Sequence, residues 1–338
     1  MSTLAPATTT VARPTTPIGP AGTLTQLRPE RSLWSNAWRQ FTRNKLAMIG
    51  LAYVGLMIVI AIFAPVLAPH NPVQSEVKTA GQYRQAAWIE NASPLKTGSW
   101  DYPLGTDAVG RDVLSRVIYG TRVSLIVGFI PMVVIMVIGV PVGLAAGFAG
   151  GRLDNLLMRM TDVVYAFPSL LFFIIMQTAL HDTAFGQALN GLILLFVTLS
   201  IVSWVGVARL VRGQTLALKE KEFTEAAKTI GASTPRVILR HILPNSLSPL
   251  IVAAAFIVPG AIINEAILGY LGIGARPSAK LDNPFPASWG PMLLDGTSSW
   301  QSQPLMLVAP ALAVALVTLA FTFIGDGLRD ALDPREQV

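Results

Sequence analysis

Two carboxylates and a guanidinium group are closely spaced in the segment LGTDAVGRD, residues 104–112. Paired carboxylates can act as general acid and general base, so Asp107 and Asp112 are candidates for catalysis at a membrane face. Neither a nucleophile, a metal-ligand pattern nor the lysine of a phosphate-binding loop accompanies them. The residue types therefore favour a rigid turn in which Arg111 bridges the acidic side chains. The residues of this outer motif are Gly105, Thr106, Asp107, Gly110, Arg111 and Asp112.

Glu265 lies in the segment INEAILGYLGIG, near the outer end of a predicted membrane span. An ionisable group near membrane depth is a candidate functional residue, because its burial without a partner is costly. A proton relay would usually need a chain of such groups, and only one is present here. We therefore expect Glu265 to be hydrogen-bonded at the interface and to help shape an outer gate.

Other kinds of chemistry have little basis in the residue types. The chain has no cysteine, which excludes disulfides and thiolate catalysis, and its three histidines lie far apart without metal-ligand spacing. The pattern GxxxxGK[ST] of an ATP-binding loop is absent. We expect no catalytic residue, cofactor or metal on this chain.

The composition predicts an all-α membrane protein. Hydrophobic residues make up 52% of the chain and charged residues 13%, whereas a soluble domain carries roughly 25% charged residues. Because about 20 apolar residues cross a bilayer, charge-free runs of that size mark the spans. The six predicted spans are Leu46–Pro69, one within Val123–Gly151, Val163–Leu180, one within Thr183–Ala208 from about Gly191, about Ser246–Ile263 and about Pro304–Gly325.

Basic residues are distributed unevenly between the two sides of these spans. With the N-terminus in the cytoplasm, 17 of the 25 Lys and Arg residues lie on the inner side. The positive-inside rule therefore places both termini and residues 219–244 in the cytoplasm. A nucleic-acid partner is disfavoured, because no basic stripe interleaved with aromatic residues is present.

Three glycines recur at every fourth residue of the second predicted span. Gly139, Gly143 and Gly147 would form a ridge on which a neighbouring helix can pack closely in lipid. This pattern predicts ordinary helix packing in preference to a substrate contact.

Residues 219–244, which we call the elbow, are charged and rich in small residues between two apolar spans. At 100° per residue they predict a helix with an apolar and a charged face. Gly231 stands where a left-handed cap would end this helix, and Thr234 with Pro235 predicts the start of a second one. Pro244 is expected to set the direction of re-entry into the membrane. The apolar face holds Phe223, Ala226, Ala227 and Ile230, and the charged face holds Lys221, Glu225 and Lys228.

The chain is divided further by composition. Residues 1–32 are rich in Thr, Pro and Ala and are predicted to be a disordered cytoplasmic tail. Residues 33–69 are predicted to hold an interfacial helix and the first span, because aromatic residues recur there at helical spacing beside basic ones, and a simple continuation of the first span stays open as the alternative. The other predicted divisions are an extracytoplasmic loop at 70–122, a five-helix core at 123–325 that contains the elbow, and a cytoplasmic tail at 326–338.

The elbow resembles the EAA loop in the permeases of ABC importers. The similarity rests on Glu225-Ala226-Ala227, on Gly231 after three further residues, and on the closing Leu243-Pro244. The resemblance implies that the elbow is a coupling helix that docks into a groove of a cytosolic ATPase. The docking residues that it implies are Phe223, Glu225, Ala226, Ala227, Lys228, Gly231 and Pro244.

Two outer segments look like the signature of the C-type subunit of dipeptide and oligopeptide permeases. One is Leu104–Arg116, and the other is Glu265–Gly274 with Ser288-Trp289-Gly290 after it. The similarity covers about residues 33–334. It implies the type I ABC importer permease fold, with six transmembrane helices and both termini in the cytoplasm.

The resemblance also implies a heteromeric complex that imports peptides across a bacterial or archaeal cytoplasmic membrane. This chain would form half of the translocation path beside a B-type permease subunit, surrounded by membrane lipid. Two cytosolic ABC ATPase subunits would bind ATP and Mg²⁺, and an extracytoplasmic solute-binding protein would deliver the solute.

Three alternatives stay open. The same scaffold serves importers of nickel and other small solutes. A secondary transporter would need midplane charges and broken-helix repeats. An enzyme at the outer membrane face would use Asp107 and Asp112, and it would turn over its substrate without partners.

Overall fold

The structure is a computed structural model that describes residues 33–94, 96–276 and 283–332. The tail predicted at 1–32 and the last six residues of the chain fall outside these ranges. Within them the chain is helical, and its extended pairings are two isolated β-bridges. The helices are α1 (Leu33–Arg43), α2 (Lys45–Leu67), α3 (Val77–Ala80), α4 (Val113–Ala149), α5 (Gly151–Tyr165), α6 (Ser169–Leu180), α7 (Ala184–Gln187), a 3₁₀ turn (Ala188–Gly191), α8 (Leu192–Lys219), α9 (Glu222–Thr229), α10 (Thr234–Val237), a π-helical turn (Ile238–Ile242), α11 (Leu243–Asn245), α12 (Leu247–Tyr270), α13 (Trp289–Ser298) and α14 (Leu305–Leu332).

Five stretches of helix are long and apolar enough to cross a membrane: α2, α4, α7 with α8, α12 and α14. The bent pair of α5 and α6 brings the number of crossings to six if it counts as one span. The bounds predicted for this span, Val163–Leu180, are wrong, because α5 begins at Gly151 and ends at Tyr165, and α6 continues at an angle of 74°. Pro168, which has no N–H to donate, stands just before α6 and interrupts the helical hydrogen bonds.

Four helices extend beyond their predicted spans, and one of them is α8, which ends at Lys219 and not by Ala208. α4 begins at Val113 and not at Val123, so the preceding loop ends at Asp112 and not at residue 122. α12 continues to Tyr270, and α14 continues to Leu332 through the start of the predicted tail. Charged side chains lie inside these extensions, and Arg116 in α4 is an example whose partners, Asp107 and Asp295, are supplied by the fold.

The glycine ridge of α4 is its contact surface with α8. A Cβ atom on Gly143 would lie 2.5 Å from the carbonyl oxygen of Ala208, and one on Gly147 would lie 2.9 Å from that of Arg212. A Cβ on Gly139 would lie 2.9 Å from the carbonyl oxygen of Trp204. The predicted ridge is therefore helix packing, and it fixes α4 against the helix that leads into the elbow.

Adding one methyl group to this ridge tests its role. Gly143→Ala should lower the stability of the purified protein by about 2 kcal/mol, because the new Cβ meets backbone that cannot rotate away. Thermal unfolding in detergent measures the effect. Gly55→Ala on α2 is the matched control, since no atom lies within 4 Å of its added Cβ. Equal unfolding temperatures for the two variants would contradict this assignment.

A hydrophobic core joins α2, α4, α12, α13 and α14. Trp289 of α13 is fully buried in it, and its indole Nε1–H donates to the carbonyl oxygen of Val117 at 2.9 Å. Helix α1 is separate from α2, because Asn44 accepts hydrogen bonds from the N–H groups of Leu46 and Ala47 and so caps α2. The apolar face of α1 packs on the ends of α2 and α14.

Candidate functional site

The outer motif is built around a buried carboxylate. Asp107 is 1% exposed, and its two oxygens accept four hydrogen bonds. The N–H groups of Val109 and Arg111 donate to Oδ1, both at 2.9 Å. The guanidinium groups of Arg111 and Arg116 donate to Oδ2 at 2.6 and 2.7 Å. With all its acceptor positions in use, this carboxylate is unsuited to act as a general base.

Arg116, which the sequence analysis did not single out, connects the motif to α13. Its side chain is 2% exposed, and its Nη2 atom donates to Asp295 at 3.0 Å. Arg111 approaches the same carboxylate at 3.9 Å. The bridge predicted from Arg111 to Asp112 is wrong, since Asp295 supplies the second acid. We call Asp107, Arg111, Arg116 and Asp295 the outer ion network.

Asp112 has a different task at the start of α4. It accepts hydrogen bonds from the N–H of Ser115 at 2.8 Å and from the Ser115 hydroxyl at 2.5 Å, and so caps the helix. Burial raises the pKa of Asp112, and the hydrogen bonds from Ser115 oppose that rise. Both aspartates of the motif are therefore enclosed structural groups, which speaks against a membrane-face enzyme that would use them.

The glycines of the motif are required by the backbone. Gly105 and Gly110 have φ values of 78° and 74°. A Cβ on Gly105 would lie 2.1 Å from the carbonyl oxygen of Arg84. Thr106 is fully buried, and its hydroxyl donates to the carbonyl oxygen of Gly81 at 2.9 Å. The motif is thus a rigid turn that fastens the preceding loop to the start of α4.

Glu265 lies beneath α13 and not at an exposed interface. It is fully buried in α12, and the Ser288 hydroxyl donates a hydrogen bond to its Oε1 atom. The Oε2 atom has no partner among the residues that the structure describes. The two helices touch through glycines, since a Cβ on Gly290 would lie 2.9 Å from the Cα of Gly269. The predicted hydrogen bond is present, in an enclosed position.

α13 is therefore held at three places, although the sequence shows only part of this. Ser288 contacts Glu265, Trp289 contacts α4, and Asp295 joins the outer ion network. Asp295 and Arg116 were missed because they are distant in sequence. In the sequence, only the opposite charges of Arg116 and Asp295, in two predicted outer segments, could have indicated this ion pair.

The first half of the elbow has the predicted cap. α9 is followed by Gly231, whose φ is 84°. The N–H of Ala232 donates to the carbonyl oxygen of Ala227 at 3.0 Å, and that of Gly231 donates to Lys228 at 2.9 Å. This pair of bonds is a Schellman motif, which needs a left-handed residue at the glycine position.

The predicted apolar face of α9 is only partly correct. Ala227 is 6% exposed and packs against the protein's own α8 and π-helical turn, so it does not face a partner. Thr224 is fully buried beside Ala227, and its hydroxyl donates a hydrogen bond to the carbonyl oxygen of Leu218 at 2.9 Å. This bond turns α9 so that Phe223, Ala226 and Ile230 are exposed.

The charged side chains of α9 are also exposed. Glu225 faces solvent, and Lys228 extends over the ring of Phe148 at 5.4 Å. The exposed surface of α9, which we call the docking face, consists of Phe223, Glu225, Ala226, Lys228 and Ile230.

The second half of the elbow differs from the prediction in detail. Ser233 stands at the N-cap position, and Thr234 is the first residue of α10. The chain then passes through a π-helical turn, for which the sequence pattern gives no signal. Pro244 is exposed in α11, directly before α12. The elbow thus enters the next span as a nearly continuous helical path.

An ion pair and a hydrogen bond fix the end of α8, where the elbow begins. Arg212 of α8 donates to both carboxylate oxygens of Asp154, at 2.6 and 2.7 Å. Lys219, the last residue of α8, donates to the carbonyl oxygen of Gly147 at 3.1 Å. These contacts fix α8 to α4 and α5 just before α9 begins, so the docking face has a rigid support.

Known proteins resemble this chain over most of its length. Residues 139–338 match the family model described as "Binding-protein-dependent transport system inner membrane component". Residues 32–94 match the "N-terminal TM domain of oligopeptide transport permease C". The methionine ABC transporter MetNI, in an inward facing conformation, gives a TM-score of 0.49 at 19% identity, covering 65% of this chain and 97% of that one.

Three curated relatives are similar to this chain over about nine tenths of its length. The oligopeptide transport system permease protein OppC of Haemophilus influenzae is 38% identical, with 91% of this chain and 90% of the relative covered. OppC of Bacillus subtilis is 38% identical, with 90% of each chain covered. The dipeptide transport system permease protein DppC of Bacillus subtilis is 40% identical, with 91% and 88% covered. The chain, a multi-pass membrane protein, therefore belongs to the family of inner membrane components of binding-protein-dependent transport systems.

Proposed function

We propose that this chain is a non-catalytic permease subunit of an ATP-driven importer of dipeptides or oligopeptides. The observation that carries the proposal is the elbow, in which a Schellman-capped helix exposes a docking face at the end of a transmembrane helix. The relatives named OppC and DppC support peptides over nickel as the solute. The membrane would be the cytoplasmic membrane of a bacterium or archaeon.

The proposed partners follow from this assignment. Two cytosolic ATPase subunits would bind ATP and Mg²⁺, and one would receive the docking face. A B-type permease subunit would complete the translocation path, and an extracytoplasmic solute-binding protein would deliver the peptide. When the ATPases close, the elbow would move with them and displace α8 and α4, which are packed tightly along the glycine ridge.

The outer side of the same path would be gated by α13. Its contacts with Glu265, with α4 and with the outer ion network hold it over the end of α12. A displacement of α4 would act on two of these contacts at once. Glu265 and the outer motif would thus shape the outer gate, and they would not transfer protons or act on the solute chemically.

Uptake into proteoliposomes tests the proposal. The complete complex is reconstituted with its binding protein, and entry of a labelled dipeptide, a labelled tetrapeptide and Ni²⁺ is compared. We expect ATP-dependent entry of a peptide and no Ni²⁺ entry above that of empty vesicles. ATP-dependent Ni²⁺ entry without peptide entry would refute the peptide assignment, and entry driven by an ion gradient without ATP would refute the importer class.

The proposed topology can be tested with single cysteines, because the chain has none of its own. Ala92 is exposed in the outer loop, and Thr42 and Thr229 are exposed in α1 and α9. An impermeant thiol reagent should label Ala92→Cys in intact cells. It should label Thr42→Cys and Thr229→Cys only after the cells are permeabilised. Labelling of Thr42→Cys or Thr229→Cys in intact cells would refute the proposed orientation.

A further inference from the structure

An apolar groove lies between α1 and the ends of three spans. Its volume is about 320 Å³, and all four helices contribute to its wall. The side chains that matter here are Trp38 and Phe41 of α1, Leu51 of α2, Ile251 of α12, and Leu328 and Leu332 of α14. Apart from the indole N–H of Trp38, the described side chains that line the groove have no hydrogen-bonding group to offer an occupant.

The groove is shallow with respect to the membrane. Leu51 is the seventh residue of α2, which places it about 9 Å along the helix from its start. Ile251 is the fifth residue of α12, and Leu332 is the last of α14. One leaflet contributes about 15 Å of hydrocarbon. The groove therefore lies at the depth of the first part of an acyl chain.

Basic side chains stand on the helix ends that frame this groove. Arg39 and Arg43 lie on α1, Lys45 opens α2, and Arg329 lies beside Leu328 on α14, and all four are exposed. Within the described ranges, none of them forms a salt bridge.

Two carboxylates, Asp326 and Asp330, are exposed on the same end of α14. Asn44 contacts Asp330 at 3.5 Å. The four basic and two acidic groups leave an excess of two positive charges. Trp38 is 61% exposed, as is common for an indole at the level of lipid headgroups.

We propose that this groove binds an acyl chain of an anionic phospholipid from the cytoplasmic leaflet, with the phosphate near the basic helix ends. The proposal rests on the topology given under Proposed function. An extended polypeptide segment would bring backbone polar groups that this wall cannot satisfy, whereas an acyl chain has none. The excess of positive charge favours an anionic headgroup over a zwitterionic one.

Photo-crosslinking tests the proposal on the assembled complex in nanodiscs. The probes are phosphatidylglycerol and phosphatidylcholine, each with a diazirine in the acyl chain. We expect adducts on the peptides that contain Trp38–Phe41 and Leu328–Leu332, with about fivefold more from phosphatidylglycerol. Leu51→Trp, which fills the groove, should remove these adducts. Leu56→Trp is the matched control, because Leu56 is 54% exposed on α2 and does not line the groove.

A charge variant separates the headgroup from the acyl chain. Arg43→Gln combined with Arg329→Gln should make the two lipids label the groove equally while Leu51→Trp still blocks both. Equal labelling by the two lipids in the unsubstituted protein would refute the anionic headgroup. Adducts insensitive to Leu51→Trp, or protection of the groove by the partner permease, would refute the lipid site. Crosslinking is measured without any transport reaction. A failure of peptide uptake would therefore contradict the proposed function without changing the result for the lipid site.

Discussion

Arg116→Met should lower the stability of the protein by about 3 kcal/mol, because it removes the guanidinium between two carboxylates and leaves a buried charge with fewer partners. Asp107 would keep Arg111 as an ion partner, and Asp295 would lose its bond of 3.0 Å. Methionine fills much of the volume of the arginine side chain. The loss of stability would therefore come mainly from the missing charge and hydrogen bonds and less from a cavity. α13 would also become less firmly attached to α4.

Thermal unfolding of the purified complex measures this effect. Arg116→Lys should give an intermediate loss, because one ammonium group cannot reproduce two contacts of a planar guanidinium. Asp295→Asn should cost less when Arg116 is already methionine, since the two residues interact directly. Strictly additive losses would show that Arg116 and Asp295 do not form the ion pair described here.

Gly231→Val should reduce peptide uptake and transport-coupled ATP hydrolysis by about tenfold or more. A β-branched residue is strained at a φ of 84°, and relief of about 1–2 kcal/mol of strain would unwind the end of α9. The change acts through the backbone alone, because no atom lies within 4 Å of an added Cβ. The docking face would then lose its fixed orientation. Uptake and ATPase rates of the reconstituted complex are the measurements.

Gly231→Asn is the matched control for this variant, since asparagine tolerates the left-handed region and the site has open space. It should retain most of the uptake. Ala226→Arg should fail like Gly231→Val although it leaves the backbone intact, because Ala226 is exposed on the docking face. Unchanged peptide uptake and unchanged transport-coupled ATP hydrolysis in both Gly231→Val and Ala226→Arg would refute the assignment of the elbow as the contact with the ATPase.

Local chemistry made some features predictable from the sequence. Gly231 was correctly placed as a left-handed cap because that conformation is a property of a single residue. The ridge of Gly139, Gly143 and Gly147 was correctly assigned to packing because its spacing is that of one helix face. The long charge-free runs likewise correspond to membrane-crossing helices.

Features that depend on distant partners were not predictable in the same way. Asp295 is far from Arg116 in the chain, and only the fold shows that it, and not Asp112, completes the ion network. The orientation of Ala227 was wrong because a hydroxyl of Thr224, invisible to a hydrophobicity pattern, sets the rotation of α9. The bend between α5 and α6 was hidden because hydropathy does not report direction.

The length of α4 has a geometric consequence. With 37 residues it measures about 55 Å, against about 30 Å of bilayer hydrocarbon. Arg116 lies in its first turn and Gly147 in its last, so the same rod carries the outer network at one tip and the supports of the elbow at the other. Rotating a rod of this length by about 5° about one tip swings the opposite tip by about 5 Å. On the proposed topology, a small rotation at the cytoplasmic end of α4 would thus displace its outer end by a distance of molecular size.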